Sequence, residues 1–191
     1  MENALRSERS RKAIIEAALR IIARDGPGRL TLDAIARESG ISKGGLTHQF
    51  PTKKAVLRAL LDHQIEFFRT FTQAYETAAG NDQSEVHLAA QIATLHEVIL
   101  KQNSVAFAVV GALSEAPALL SMLRESMALT VEHIQAEAAD PDLALLRWSA
   151  ARGLALSAMF GMCPLSPDDR ERLFDRLLDD ARWTGLVQTD K

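Results

Sequence analysis

A chain of 191 residues with 47% hydrophobic, 25% charged and 5% aromatic residues has the make-up of an ordinary globular protein, not a disordered, collagen-like or disulfide-stapled one. Its lone cysteine, Cys163, excludes an internal disulfide framework and a four-cysteine zinc site. The net charge of −3 hides an asymmetry: residues 1–58 carry 12 Lys+Arg against 6 Asp+Glu, and residues 59–191 carry 10 against 19. Such a split is a hint of a nucleic-acid-binding module joined to a body with another task. The opening MENALRSERSRK is charged where a secretory signal would be apolar, and no run of 18 apolar residues occurs, so a cytoplasmic protein with no membrane partner is expected.

The pattern is helical from end to end. Ile14, Ala17, Ala18, Ile21 and Ile22 recur at three-and-four spacing, with Arg11 and Lys12 placed at the start of this first helix and Arg20 and Arg24 around it. Asp25-Gly26-Pro27-Gly28 ends it, because glycine accepts the left-handed cap and proline cannot continue a helix. Two short helices follow, Thr31 to about Glu38 and Ser42 to about Gln49, each opened by a hydroxyl suited to an N-cap. A long helix is predicted from Lys53 to about Ala79, then others over Glu85–Leu100, Val105–Leu113, Ala118–Ala138, Leu143–Phe160 and Asp168–Trp183. The expectation is an all-α fold of about nine helices: a three-helix module over residues 1–52 and a helical body over 53–191.

Thr31-Leu32-x-x-Ile35-Ala36-x-x-x-Gly40-Ile41-Ser42 has the spacing of a helix-turn-helix, two short helices held at a steep angle by a glycine-centred turn. Leu32, Ile35, Ala36, Ile41 and Leu46 face inward and, with Ile14, Ala18, Ile22 and Phe50, can fill a small core. Ser42, Lys43, Gly45, Thr47 and His48 remain outside on the second helix, polar or too small to hinder entry into a major groove. Adjacent Gly44 and Gly45 weaken that helix by about 1 kcal/mol each relative to alanine, which either close backbone approach to DNA or a plain loosening of a short helix would explain.

On these residues the chain resembles the tetracycline-repressor (TetR) family of transcriptional regulators. The stretch from Arg11 to Leu57 carries IIEAAL, the glycine corner, LDAIARESGISKGGL and the closing QFPTKKAVL in the family's order. One position departs: five residues after Ser42 the family usually has a tyrosine that reaches a phosphate, and here stands Thr47. The resemblance implies base or phosphate contacts from Ser42, Lys43, Gly45, Thr47 and His48, and backbone contacts from Thr31 and Lys53 near helix N-termini. It also implies a body that binds an effector and forms a homodimer on a palindromic, double-stranded operator, most simply as a repressor released by a small apolar or amphipathic molecule.

Phe67, Phe68, Phe71 and Tyr75, four of ten aromatics within nine residues, are the candidate pocket wall, with Phe107, Met122 and Trp148, and also Met127, Met159 and Phe160, facing them from later helices. Leu143–Phe160 is apolar on nearly all sides and calls for a second subunit as cover, assisted by Leu173, Phe174, Leu177 and Leu178. No catalytic motif, cofactor loop or metal spacing is found: HExxH, GxSxG and P-loop patterns are absent, and the scattered His63, His87 and His133 read as surface or structural histidines, a metal site being the alternative if helices bring them together. No cofactor and no enzymatic activity are expected. A helical small-molecule binder without DNA affinity, or an enzyme in the body, are the competing readings, and salt-dependent duplex binding separates the first reading from both.

Overall fold

The computed structural model describes residues 2–80, 85–100 and 117–186. They form eight α-helices: α1 Glu2–Asp25, α2 Leu32–Ser39, α3 Lys43–Gln49, α4 Lys53–Ala79, α5 Val86–Leu100, α6 Leu120–Glu137, α7 Pro141–Met159 and α8 Pro167–Leu178. Short 3₁₀ turns fill several of the joints, and no strand occurs among the described residues. The segment expected as a helix over Val105–Leu113 lies outside the described residues.

Helix α1 starts at Glu2, well before the expected start near Arg11. Nothing between Glu2 and Asp25 breaks a helix, and the segment is rich in Ala, Leu, Arg and Glu, which favour one. Arg11 and Lys12 therefore sit inside the helix rather than at its start. At the other end of the chain, α8 stops at Leu178 instead of running to Trp183. Its last open carbonyl turn is partly satisfied from outside: the Arg147 guanidinium donates to the Leu177 carbonyl at 2.8 Å. A 3₁₀ turn, Asp180–Arg182, carries the chain on, and the Trp183 indole N–H donates back to the Arg176 carbonyl at 2.9 Å.

The described residues fall into two compact units, 2–65 with 117–123, and 66–80 with 85–100 and 124–186. In the first, Ile14, Ala18 and Ile22 of α1 pack with Ile35, Leu46 and Phe50, and Leu30, Val56 and Leu60 complete the core. Leu32, Ala36 and Ile41 line its edge, half-buried. Glu38 ties α2 to α1 by accepting from Arg20 (3.0 Å) and Arg24 (3.2 Å), which holds its carboxyl below the usual range.

The second unit is built on Leu88, Ile92, Ile134, Ala144, Trp148, Ala151, Phe174 and Leu177. The His96 ring stacks on Phe174, with 4.7 Å between centroids. Glu137 at the end of α6 caps α5 by accepting from the backbone N–H groups of His87 (3.0 Å) and Leu88 (2.7 Å). At its centre, Arg147 is 2% exposed and bonds Glu85 at 2.6 Å and Asp180 at 2.7 Å. Phe174 and Leu177, expected to face a second subunit, are buried inside this core instead. They lie on the same face of α8, the one that docks on α5 and α7, so their own chain covers them.

Candidate nucleic-acid interface

The local chemistry of the helix-turn-helix follows from five residues. Thr31 caps α2, its hydroxyl accepting from the Ala34 N–H at 3.1 Å. Gly40 ends that helix at φ 70°, a left-handed conformation that a side chain would strain, and so turns the chain into α3. Ser42 caps α3 by accepting from the Gly45 N–H at 3.2 Å. Leu46, fully buried, fastens α3 to the core, and Phe50 closes it beneath the Arg11 guanidinium, 4.7 Å above the ring.

One buried residue leaves the rest of α3 outward. Ser42, Lys43, Gly44, Gly45 and His48 are exposed, and Thr47 is half-buried. The Lys43 ammonium is not idle: it pairs with Asp33 of α2 at 2.8 Å and holds that carboxyl below the usual range by its hydrogen bond. Both partners are largely exposed, so the pair is weak and can exchange for a phosphate. The Thr47 hydroxyl donates to the Lys43 carbonyl at 2.8 Å, which ties it to its own helix. Lys53 is half-buried at the first position of α4, and Thr52 beside it accepts from the Ala55 N–H at 3.1 Å. Thr31, Ser42, Lys43, Gly45, Thr47 and His48 thus fall on or beside one two-helix unit.

The two glycines differ. A Cβ on Gly44 would meet nothing within 4 Å, whereas one on Gly45 would lie 3.2 Å from the Ile41 side chain and 3.3 Å from the Ser42 hydroxyl. Packing accounts for the second glycine and leaves the first without a reason in the fold. Sequence reasoning missed the Gln49 amide, which donates to the Ser7 hydroxyl at 2.8 Å and ties α3 to the early part of α1. No signal in the sequence marks that pair, because it joins residues 42 apart.

Among the described pocket candidates, Met122 lies in the first unit and the others in the second. Phe67 packs edge-on against Phe68 (6.1 Å) and tilted against Phe71 (6.5 Å), all half-buried on α4, with Tyr75 a turn further on. Trp148 belongs to the second unit's core, Met122 packs against the first unit's core, and Phe107 lies outside the described residues. His87 and His133 do meet, ring centroids 5.0 Å apart, but the His87 Nδ1 is 2.6 Å from Glu76. No group of three or more His, Cys, Asp or Glu among the described residues could hold a metal ion. Among the same residues, no helix is long and apolar enough to cross a membrane.

Comparison with known proteins agrees with this geometry. Residues 14–60 match the model of bacterial regulatory proteins of the tetR family, and residues 69–182 that of the tetracyclin repressor-like C-terminal domain. The uncharacterized HTH-type transcriptional regulator YuxN of Bacillus subtilis is 33% identical over 92 residues, 48% of this chain and 31% of that protein. Alignments with the curated relatives cover 31% to 51% of those proteins' own length. The multidrug binding protein EbrR in complex with malachite green shares the fold, with a TM-score of 0.66 at 22% identity over 94% of this chain and 98% of that one. So does the fatty acid degradation regulator FadR from Bacillus halodurans, with a TM-score of 0.68 at 14% identity over 88% and 94%. With both halves matched in the family's order, the chain belongs to the TetR family of bacterial transcriptional regulators.

Proposed function

We propose that this regulator binds a palindromic duplex operator as a homodimer, represses from it, and is released by a small apolar or amphipathic effector. Residues 1–52 serve the DNA and residues 53–191 the effector and the second subunit. The observation that carries this reading is α3 itself, a helix fastened by the single buried Leu46 that leaves Ser42, Lys43, Gly44, Gly45 and His48 open to a groove. Support for an effector comes from the half-buried aromatics of α4 and from relatives of this fold described in complex with malachite green and ethidium.

Support for a second copy comes from α7. Leu146 (66% exposed), Leu156 and Phe160 stand outward with exposed Gly153, an apolar face that two-fold pairing would cover. Helix α4 begins at Lys53 and carries Phe71 and Tyr75 further on, so one helix serves both DNA and effector. Linkage then demands reciprocity: effector weakens DNA binding by the factor by which DNA weakens effector binding, typically about 5- to 150-fold.

The test is selection of binding sites from a random duplex library with the full chain, followed by anisotropy titrations across a salt series. A palindrome with steep salt dependence is expected. Failure to enrich any sequence, with no salt-dependent binding, would return the chain to a helical ligand binder.

A further inference from the structure

The pair between Asp33 and Lys43 does little for the fold. Its two side chains are 67% and 70% exposed, and an ion pair so open to water adds almost nothing to stability. Its place says more than its strength. Asp33 lies in the first turn of α2, Lys43 is the first residue of α3, and the 2.8 Å contact joins the two helices on their exposed side. The carboxyl is held below its usual range, chiefly by the hydrogen bond from Lys43 with a smaller attraction from Arg37, so it is an anion at neutral pH.

An anion on a DNA-facing surface works against binding, because affinity comes mainly from cations that neutralise phosphates. Were Lys43 to leave Asp33 for a phosphate, a bare carboxylate would remain beside the same backbone. One place on a duplex relieves this: the floor of the major groove, where exocyclic amines donate. In helix-turn-helix docking, the residues that begin the second helix meet base edges, and Lys43 is such a residue. Asp33, 2.8 Å from its ammonium, is carried to the same depth. A carboxylate and an ammonium side by side present an acceptor next to a donor. The C·G pair presents the reverse: cytosine N4 donates, and guanine O6 and N7 accept beside it. The A·T pair sets the adenine N6 amine beside a single acceptor, thymine O4, flanked by a methyl, which is a poorer seat for an ammonium with three donors.

We infer that Asp33 and Lys43 together read one C·G base pair in each half-site, the carboxylate accepting from cytosine N4 and the ammonium donating to guanine O6 and N7. This rests on the reading of residues 1–52 as the DNA-binding module. It makes Asp33, an acid of the first short helix, a specificity determinant beside the residues of α3.

The experiment runs the duplex-library selection on the full chain and on its Asp33→Ala, Asp33→Asn and Lys43→Ala variants. Anisotropy at fixed salt then compares the selected operator with duplexes carrying each other base pair at each half-site position. The parent is expected to select a C·G pair at one position of each half-site and to bind it about 5- to 150-fold more tightly than the alternatives. Asp33→Ala should relax that position and no other, and Lys43→Ala should relax the same one. Asp33→Asn should move the preference there toward adenine, whose N6 and N7 suit an amide. All three variants should melt close to the parent, because the exposed pair adds little to the fold.

The inference is overturned if Asp33→Ala leaves the preferred sequence unchanged, even where it tightens all duplexes alike, which would make the pair an ordinary solvated one. Equal weakening of every sequence by Lys43→Ala would overturn it in favour of a phosphate contact. Relaxation of an A·T position, or of different positions by the two variants, would overturn it as well. In each of these cases a selected palindrome leaves the DNA-binding reading standing. That reading fails separately, through absence of any selected sequence and of salt-dependent duplex binding, and the inference then falls with it.

Discussion

Gly44→Ala separates folding from DNA approach, because the two should respond with opposite sign. The residue stands at the second position of a seven-residue helix, and an added Cβ meets no atom within 4 Å. Replacing glycine by alanine in a helix gains up to about 1 kcal/mol. For a chain of this size that raises Tm by roughly 2–4 °C. If the bare backbone at residue 44 lies close to DNA, the same methyl must intrude on the contact. Loss of one good base contact costs about 1–3 kcal/mol, or roughly 5- to 150-fold in affinity. Gly45→Ala is the control, since crowding against Ile41 and the Ser42 cap offsets its helix gain. Thermal melts and anisotropy on the selected operator at fixed salt give both quantities. A more stable Gly44→Ala variant with operator affinity within about twofold of the parent would refute the backbone-approach argument. A less stable one would refute the claim that the position is open.

The remaining expectations can be read from the same preparations. Lys53→Ala should weaken specific and non-specific DNA alike and flatten the salt dependence by about one charge; a change in preferred sequence at constant slope would contradict a phosphate role. Thr47→Tyr, which restores the family's residue, should alter operator preference in a repeated selection if Thr47 reads a base. Gly153→Trp should convert the proposed dimer to folded monomer in sedimentation, because beyond the adjoining residues and backbone of its own helix the new Cβ meets nothing within 4 Å. Arg147→Ala should destabilise the body by about 3–5 kcal/mol in chemical denaturation, since it strands Glu85 and Asp180.

Much of the DNA-reading module was legible because its signals are local. Thr31, Gly40 and Ser42 announce caps and turn through their own backbone chemistry, and both short helices begin within a residue of the expected place. The body was harder for two physical reasons. First, a continuous apolar pattern on α7 does not say which side meets its own chain. Phe174 and Leu177 read equally well as core or interface, and the structure buries both in the core. Second, polar partners far apart in sequence leave no periodic trace: Arg147 meets Glu85 across 62 residues and Asp180 across 33. Among the pocket candidates, the aromatic cluster on α4 was visible from spacing alone, whereas the separate environments of Met122 and Trp148 were not.

The ion-paired Arg147 gives the end of the chain an unexpected role. Two of its four hydrogen bonds go to the Leu177 carbonyl and a third to Asp180, so the closing helix and the turn after it act as counterweight to a cation set deep in α7. Removing residues after Ser166 would therefore leave a desolvated guanidinium facing the hollow once filled by Phe174 and Leu177. A shortened chain of that kind would report on collapse of the body rather than on assembly. Point changes on the outward face of α7, which leave this counterweight in place, would test the proposed pairing while keeping each subunit whole.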